Sequence, residues 1–256
     1  MSRLTELFEQ KNKRVLNVYC TAGYPQLNST MEVMESLQKN GADIIELGMP
    51  YSDPLADGPT IQDSSTTALK NGMSTQLLFD QLKDIRKSIH IPLIVMGYFN
   101  PMLQYGVDAF LKECAQIGID GVIMPDLPLA EYKQHYAAMY EKYGIKNIFL
   151  ITPQTSDARI REIDKASDSF IYLVSTASVT GSKSGFGPEQ EAYFERIANM
   201  KLKNPLVVGF GIHDAHTFTQ ATKHTSGAII GSAFIKTITE KGLAGIAPFI
   251  QSLRPE

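Results

Sequence analysis

The chain has 256 residues, of which 43% are hydrophobic and 20% charged, with a formal net charge of −3, two cysteines and no tryptophan. This composition provides enough apolar side chains for a sizeable core and excludes a disordered or fibrous protein. The slightly acidic charge balance argues against an anionic polymer such as nucleic acid as a partner. The order of the predicted elements must decide between one closed barrel of about 250 residues and two smaller α/β domains.

The first segment, MSRLTELFEQKNKR, is a polar, helix-like stretch rather than a signal peptide. No apolar run reaches the roughly 18 to 20 residues needed to span a bilayer. We therefore expect an extra N-terminal helix and a cytoplasmic protein. Cys20 and Cys114 lie far apart in apolar segments, which predicts two buried free thiols rather than a disulfide framework.

Eight short apolar runs, rich in valine and isoleucine, recur along the chain. They cover residues 15–20, 44–47, 93–96, 121–124, 148–151, 170–174, 206–208 and 228–230. Each run is too short for an independent helix, and near-continuous hydrophobicity is typical of parallel strands that are covered on both faces. The sequence therefore predicts eight buried parallel strands.

Segments with helical spacing separate these strands. One apolar stripe comprises Val107, Phe110, Leu111, Cys114 and Ala115. Strand and helix alternate eight times without a linker, which predicts an α/β fold made of a single (β/α)8 TIM barrel over residues 1–256. The alternative is a doubly wound sheet, but the turn after the first strand lacks the G-x-G-x-x-G pattern of such sheets.

Two intervals between strands are longer than average, residues 48–92 and 175–205. They predict extended loops after strands 2 and 6. In a barrel both loops lie at the carboxyl ends of the strands, where active sites are built.

An acidic residue within a predicted strand is the first candidate for chemistry. Glu46 lies among apolar neighbours, and a carboxylate that loses its solvation has a raised pKa, which suits proton transfer near neutral pH. The alternative is a glutamate paired with a lysine or arginine at the strand end. Asp53 and Asp57 follow in a loop whose prolines and glycines give it a defined shape, and both are also compatible with a turn-forming role.

Three glycine clusters follow the last three predicted strands. Barrels often bind phosphate with the loops after strands seven and eight and with a helix N-terminus, because bare backbone N–H groups attract an anion. Each cluster alone is also typical of an ordinary turn. The candidate phosphate-binding residues are Thr180, Gly181, Gly209, Phe210, Gly211, Gly231 and Ser232.

Three further features have two interpretations each. Residues 178–187 have the composition of a flap that closes over a ligand, and equally that of a solvated loop. Tyr172 lies on strand six and is placed either to direct its hydroxyl into the barrel or to pack in the core. His213 and His216 flank Asp214, whose position predicts a helix N-cap rather than a metal pair.

One long motif resembles a known family. The run IELGMPYSDPLADGPTIQ at residues 45–62 is similar to the signature of the tryptophan synthase alpha chain family. Further matching segments follow in order: MGYFNP at 96–101, PDLP at 125–128, YLVS at 172–175, VTG at 179–181, GFG at 209–211 and GSA at 231–233. The resemblance therefore extends from the first strand region to the last helices.

This resemblance implies a (β/α)8 barrel and a lyase of tryptophan biosynthesis. The implied reaction is the retro-aldol cleavage of indole-3-glycerol phosphate to indole and glyceraldehyde 3-phosphate, without a cofactor or metal. By position, Glu46 is implied to move protons, Asp57 to accept a hydrogen bond from the indole N–H, and Tyr172 to help orient the reacting centre. The glycine clusters and Ser232 are implied to hold the substrate phosphate, whose remote binding energy positions the reacting end.

The resemblance also implies a partner, a beta chain that carries pyridoxal phosphate and receives indole within an α2β2 heterotetramer. The residues implied to face it are Asp53, Pro54, Asn100, Pro101 and Pro128. Two alternatives are a free-standing lyase that releases indole and a slow subunit that mainly activates the beta chain.

One segment departs from the family pattern. Family members commonly have glycine immediately before the VTG segment and often arginine two residues earlier, whereas this chain has Ser178 and Thr176. The departure bears on the closure of residues 176–187 and on their response to a partner. Glu46 and Asp57 are retained.

Overall fold

The computed structural model describes residues 2–175 and 185–254. The first element is α1 (Arg3–Gln10), which begins after Ser2, whose hydroxyl accepts a hydrogen bond from the Thr5 N–H. This side-chain cap satisfies one of the N–H groups that a helix leaves without an internal partner. The predicted N-terminal helix is therefore confirmed.

All strands belong to one parallel sheet. They are β1 (Val15–Thr21), β2 (Ile44–Gly48), β3 (Leu93–Met96), β4 (Gly121–Ile123), β5 (Lys146–Asn147), β6 (Leu150–Ile151), β7 (Ile171–Val174), β8 (Leu206–Gly209) and β9 (Gly227–Ile230). Their spatial order is β5-β4-β3-β2-β1-β9-β8-β7-β6. The two end strands, β5 and β6, are consecutive in the chain, so the sheet curls until its ends meet as a barrel.

The fifth predicted strand differs in detail from the structure. Residues 148–151 were expected to form one strand, but two short strands lie there, β5 paired with β4 and β6 paired with β7. Between them, the Ile148 N–H donates to the Val122 carbonyl at 3.0 Å, and the Phe149 carbonyl accepts from the Tyr172 N–H at 2.9 Å. The chain thus changes its hydrogen-bonding partner from β4 to β7 at this point, and this change of partner closes the barrel.

Helices surround the sheet, and one or more of them separate successive strands except β5 and β6. After α1 they are α2 (Thr30–Lys39), α3 (Pro59–Lys70), α4 (Thr75–Leu82), α5 (Phe99–Tyr105), α6 (Val107–Ile117), α7 (Leu129–Glu131), α8 (Ala137–Tyr143), α9 (Asp157–Ala166), α10 (Pro188–Asn199), α11 (Ala215–Ala221), α12 (Ser232–Lys241) and α13 (Ile246–Leu253). Shorter turns of 3-10 helix cover Ile85–Lys87 and Gly242–Gly245, and a π-helical turn covers Tyr132–Tyr136. The order of elements confirms the (β/α)8 prediction.

Helix α6 shows why a helix of this fold can be predicted from the sequence. Val107, Phe110, Leu111 and Cys114 of the predicted stripe are buried, and the helix ends at Gly118, which adopts a left-handed conformation with φ 88°. Glycine accepts this conformation without strain. The same fold leaves Cys20 buried and, like Cys114, free, as predicted.

The extended loop predicted after strand 2 is present. Residues 49–58 leave β2, and two helices, α3 and α4, precede β3 where a single helix is usual. The loop predicted after strand 6 follows β7, and residues 176–184 of it, including Thr176 and Ser178, lie outside the described residues. Of the helices in the described part of the chain, none has the length and apolar character needed to cross a membrane.

Candidate active site

Glu46 lies in the middle of β2 with its side chain buried, and only 1% of the residue is exposed. Its neighbour in β1 is Tyr19. The carboxylate accepts one hydrogen bond, from Asn17 Nδ2 to Oε2 at 2.7 Å. Burial raises the pKa of Glu46 to about 8, the Asn17 hydrogen bond opposes the rise, and the negative charge of Asp57 adds to it. Glu46 is therefore present in both protonation states near neutral pH.

Asp57 lies in the loop that leaves the same strand. Its Oδ2 accepts a hydrogen bond from the Tyr98 hydroxyl at 2.9 Å, and that hydroxyl in turn accepts from the Ala56 N–H at 2.9 Å. Tyr98 immediately precedes α5, so it ties the loop after β2 to the end of β3. Burial raises the pKa of Asp57, and the hydrogen bond from Tyr98 opposes this shift.

The two carboxylates are close enough for the charge of Asp57 to raise the pKa of Glu46. Among the described residues, neither carboxylate forms an ion pair with a lysine, arginine or histidine. The ion pair that the alternative interpretation of Glu46 requires is therefore absent from the described part of the chain. A buried and a half-buried carboxyl group that have no described counter-ion are suited to exchange protons rather than to hold the fold together.

Two tyrosine hydroxyls fill the barrel mouth, and each lies directly over a glycine. A Cβ atom on Gly209 would stand 2.0 Å from the hydroxyl oxygen of Tyr172, and one on Gly48 would stand 2.0 Å from that of Tyr19. These distances are far below van der Waals contact, so any larger residue would displace the ring. Gly48 and Gly209 are thus required by the tyrosines beside them.

Tyr172 lies on β7 and is only 4% exposed. Its pKa is raised well above the ordinary value, first by burial and then by the charges of Glu46 and Asp57. The hydroxyl therefore remains neutral and able to donate a hydrogen bond. Of its two predicted interpretations, core packing and a hydroxyl aimed at the site, the structure combines both: the ring is buried, and the two carboxylates act on its hydroxyl.

The glycine clusters of β8 and β9 end on the same rim. After β8, Phe210 and Gly211 adopt left-handed conformations with φ 68° and 79°, and the Ser175 hydroxyl donates to the Phe210 carbonyl at 2.8 Å. After β9, Gly231 precedes α12, whose first residue is the exposed Ser232. The first N–H groups of α12 have no partner inside the helix and point toward this rim. Gly209 ends β8 itself, while Thr180 and Gly181 lie outside the described residues.

Comparison with known proteins places this arrangement in a family. The sequence model of the family described as tryptophan synthase alpha chain matches residues 6–247. This chain belongs to the tryptophan synthase alpha chain family. The membership confirms the expectation of a lyase of tryptophan biosynthesis.

Individual relatives agree with the family assignment. The tryptophan synthase alpha chain of Flavobacterium johnsoniae is 63% identical over 99% of this chain and 100% of the relative. That of Flavobacterium psychrophilum is 57% identical with the same coverage. A crystal structure of the tryptophan synthase alpha chain from Legionella pneumophila has a TM-score of 0.88 at 32% identity, covering 99% of this chain and 96% of that one. Mycobacterium tuberculosis tryptophan synthase in space group F222 has a TM-score of 0.89 at 34% identity, covering 98% and 96%.

The residues that the family resemblance implies as a partner interface follow three adjacent strands, β2, β3 and β4. Asp53, Asn100 and Pro128 are exposed, and Pro54 and Pro101 are half-buried. The segments that follow β3 and β4 are hydrogen-bonded to each other, because the Asp126 carboxylate accepts from the Phe99 N–H at 2.9 and 3.0 Å. Beside Pro54, Leu55 is 88% exposed. The predicted interface positions therefore lie on one side of the rim.

Sequence reasoning missed two residues that contact the carboxylates, Asn17 and Tyr98. Asn17 is the one amide within the apolar run of β1, and Tyr98 lies within the MGYFNP motif, so both had a visible signal. By contrast, the prediction for the histidine pair is confirmed: Asp214 is the N-cap of α11 and accepts from the Thr217 N–H. Within the described ranges, no group of three histidine, cysteine, aspartate or glutamate residues is placed to hold a metal ion.

Proposed function

We propose that this chain cleaves indole-3-glycerol phosphate to indole and glyceraldehyde 3-phosphate by a retro-aldol reaction. One observation carries the proposal: Glu46 is a buried carboxyl group with a pKa of about 8, and a second, half-buried carboxyl group, Asp57, is near enough at the carboxyl ends of the strands for its charge to raise that pKa. Active sites of this barrel fold occupy that rim.

The chemistry requires two proton movements. Indole is a poor leaving group until its C3 atom gains a proton, which places a positive charge on the ring nitrogen. The hydroxyl on the side-chain carbon attached to C3 then loses its proton, the C–C bond breaks, and its electrons return to the ring. Glu46 in its acid form donates the first proton and, as a carboxylate, accepts the second, so it ends the cycle as it began.

Asp57 has a separate electrostatic task. As a carboxylate it accepts a hydrogen bond from the indole N–H and stabilises the positive charge that develops on the ring. The hydrogen bond from Tyr98 favours this ionised state. Tyr172, whose hydroxyl stays neutral, orients the reacting centre by donating a hydrogen bond.

The substrate phosphate binds at the ends of β8 and β9. Gly209, Phe210, Gly211, Gly231 and Ser232 supply backbone N–H groups, a serine hydroxyl and the N-terminus of α12. The family resemblance implies that Thr180 and Gly181, which lie outside the described residues, also bind the phosphate. Binding energy from the phosphate, remote from the reacting bond, positions the indole between the two carboxylates.

A partner follows from the same assignment. The beta chain of tryptophan synthase binds the rim formed by Asp53, Pro54, Asn100, Pro101 and Pro128, in an α2β2 heterotetramer. It receives indole and holds the pyridoxal phosphate, while this chain uses no cofactor of its own. The exposure of Leu55 beside Pro54 supports an apolar contact there.

Indole formation from indole-3-glycerol phosphate tests the proposal. The Glu46→Gln variant is expected to abolish it while leaving substrate binding largely intact, and Asp57→Asn to reduce it severely. The matched control is Glu240→Gln, which changes an exposed glutamate and is expected to keep normal turnover. Near-normal turnover in Glu46→Gln would remove Glu46 from the mechanism. Measurement with and without purified beta chain separates a coupled subunit, which is stimulated, from a free-standing lyase.

A further inference from the structure

Asn17 is buried in β1 and contacts the proton-transferring group directly. None of its surface is exposed, and its Nδ2 atom lies 2.7 Å from Glu46 Oε2. The two residues are 29 positions apart in the chain and meet only because β1 and β2 are adjacent. Within the described residues this is the single hydrogen bond to the Glu46 carboxyl group, so Oε1 is left without a protein partner.

The other end of the same amide has no partner. Asn17 Oδ1 is a buried acceptor with no hydrogen bond in the described structure. Leaving a buried acceptor unsatisfied is unfavourable, so the site tolerates a local penalty to keep an amide at this position. An apolar side chain of similar volume would satisfy the packing of a barrel strand without that penalty. The hydrogen bond to Glu46 is therefore the one described contact that the Asn17 side chain makes with another polar group.

The charges around Glu46 make this single contact important. The titratable groups that act on Glu46 or are acted on by it are Tyr19, Cys20, Asp57 and Tyr172. They come from β1, from the loop after β2 and from β7, and none is a cation. Asn17 is thus the one described group that stabilises the ionised form of Glu46.

We propose that Asn17 is a positioning residue, which holds Glu46 Oε2 through both protonation states and so leaves Oε1 to exchange protons with the substrate. The amide donates from Nδ2 to Oε2 in both states, to a carboxylate oxygen when Glu46 is ionised and to the carbonyl oxygen of the acid when the proton is on Oε1. A lysine or arginine would fix the ionised form, whereas a neutral amide serves both. The inference rests on the proposed role of Glu46.

The test compares Asn17→Leu with Asn147→Leu. The control removes another buried barrel asparagine, which lies on β5 and has no hydrogen bond to Glu46. The carboxyl stretch of protonated Glu46, identified by its loss in Glu46→Gln, is followed by infrared difference spectroscopy as the pH is raised. In Asn17→Leu the titration midpoint is expected to move upward by about one pH unit, and in the control to stay at the wild-type value.

Kinetics provide a second readout. Because the Asn17 hydrogen bond is strongest to the carboxylate formed during proton donation, Asn17→Leu is expected to lower kcat about tenfold. KM stays within about threefold, since Asn17 is not placed against the substrate. The alkaline limb of the kcat profile moves upward with the infrared midpoint.

Two outcomes overturn the inference. One is a wild-type infrared midpoint in a folded Asn17→Leu protein, and the other is an equal loss of kcat in the Asn147→Leu control. If Asn17→Leu does not fold, Asn17→Thr, which suits a strand but is too short to reach Glu46, is judged by the same two criteria. Normal turnover of Glu46→Gln would instead refute the proposed function, whatever the midpoint in the Asn17 variants.

Discussion

Removing the ionisable group at position 46 is expected to stabilise the fold in alkaline solution. Burial raises the pKa of Glu46 from its ordinary value of 4.5 to about 8. Between these values the folded protein retains a proton that the unfolded chain has lost, so the free energy of unfolding falls as the pH rises. Each pKa unit corresponds to about 1.4 kcal/mol. Ionised Glu46 therefore opposes folding by about 5 kcal/mol above pH 8.

The Glu46→Gln variant keeps the shape of the side chain and its contact with Asn17 but never ionises. We expect wild type and variant to have similar unfolding free energies near pH 4.5, and the variant to gain about 1.4 kcal/mol per pH unit up to pH 8. Urea denaturation of both proteins at half-unit pH steps measures the difference. The Glu240→Gln variant, which alters an exposed residue, serves as the control.

A difference that stays constant between pH 5 and pH 8 would refute the reasoning. It would mean that Glu46 titrates alike in the folded and unfolded chains, and the buried acid that the proposed mechanism needs would not exist. A difference that grew below pH 4.5 would have the wrong sign and would indicate a carboxylate stabilised by the fold. The expected result is a stability increase that accompanies the loss of catalysis, which is typical of residues retained for function.

Three other predictions concern the surroundings of the two carboxylates. Tyr98→Phe removes the 2.9 Å hydrogen bond to Asp57 and is expected to lower kcat about tenfold. It is also expected to raise the pKa of Asp57 further, which would be measured as an upward shift of the acid limb of the pH–rate profile. Gly209→Ala forces a Cβ atom against the Tyr172 hydroxyl and is expected to reduce the unfolding free energy by about 1–3 kcal/mol, measured by thermal or urea denaturation. Ser232→Asp places a negative charge at the first residue of α12 and is expected to raise KM at least about fivefold through repulsion of the phosphate, and an unchanged KM would argue against a phosphate at that helix.

The barrel could be predicted from sequence because its strands are covered on both faces. Continuous apolar runs such as residues 93–96 and 206–208 therefore mark them without any alternation of polar residues. The division of the fifth strand could not be predicted in this way. Ile148 and Phe149 exchange hydrogen bonds with different neighbours, and which neighbour each residue meets is decided by closure of the whole sheet rather than by local sequence.

The candidate site was likewise only partly predictable from the sequence. Glu46 was conspicuous as a charge inside an apolar strand, but its partner was not, since Asn17 lies 29 residues earlier and an isolated asparagine in a strand has many explanations. The contact between Tyr98 and Asp57 spans 41 residues and depends on how the loop after β2 folds back over β3. Sequence pattern thus identified the candidate reacting groups, and the tertiary structure was needed to find the residues that hold them.

Carboxylates at the two ends of the barrel have different partners. Before β4, Asp120 accepts from Arg3 at 3.1 Å, from Arg86 at 2.6 Å and from the Leu93 N–H at 2.9 Å. Such a charge is compensated by cations and a backbone donor, and removing Asp120 would leave the half-buried Arg86 without this counter-ion. It contributes to stability and has no spare capacity for chemistry.

Asp43, which precedes β2, follows the same rule at the amino end of its strand: it pairs with Lys11 at 2.7 Å and with Arg254, and it accepts from the Leu16 N–H at 2.7 Å. Glu46 lies three positions further along the chain, and its single hydrogen-bond partner among the described residues is a neutral amide. Because no cation in the described part of the chain compensates Glu46, its proton remains exchangeable near neutral pH. The carboxylate just before β2 is therefore compensated by cations, whereas the carboxylate within β2 destabilises the fold when it is ionised.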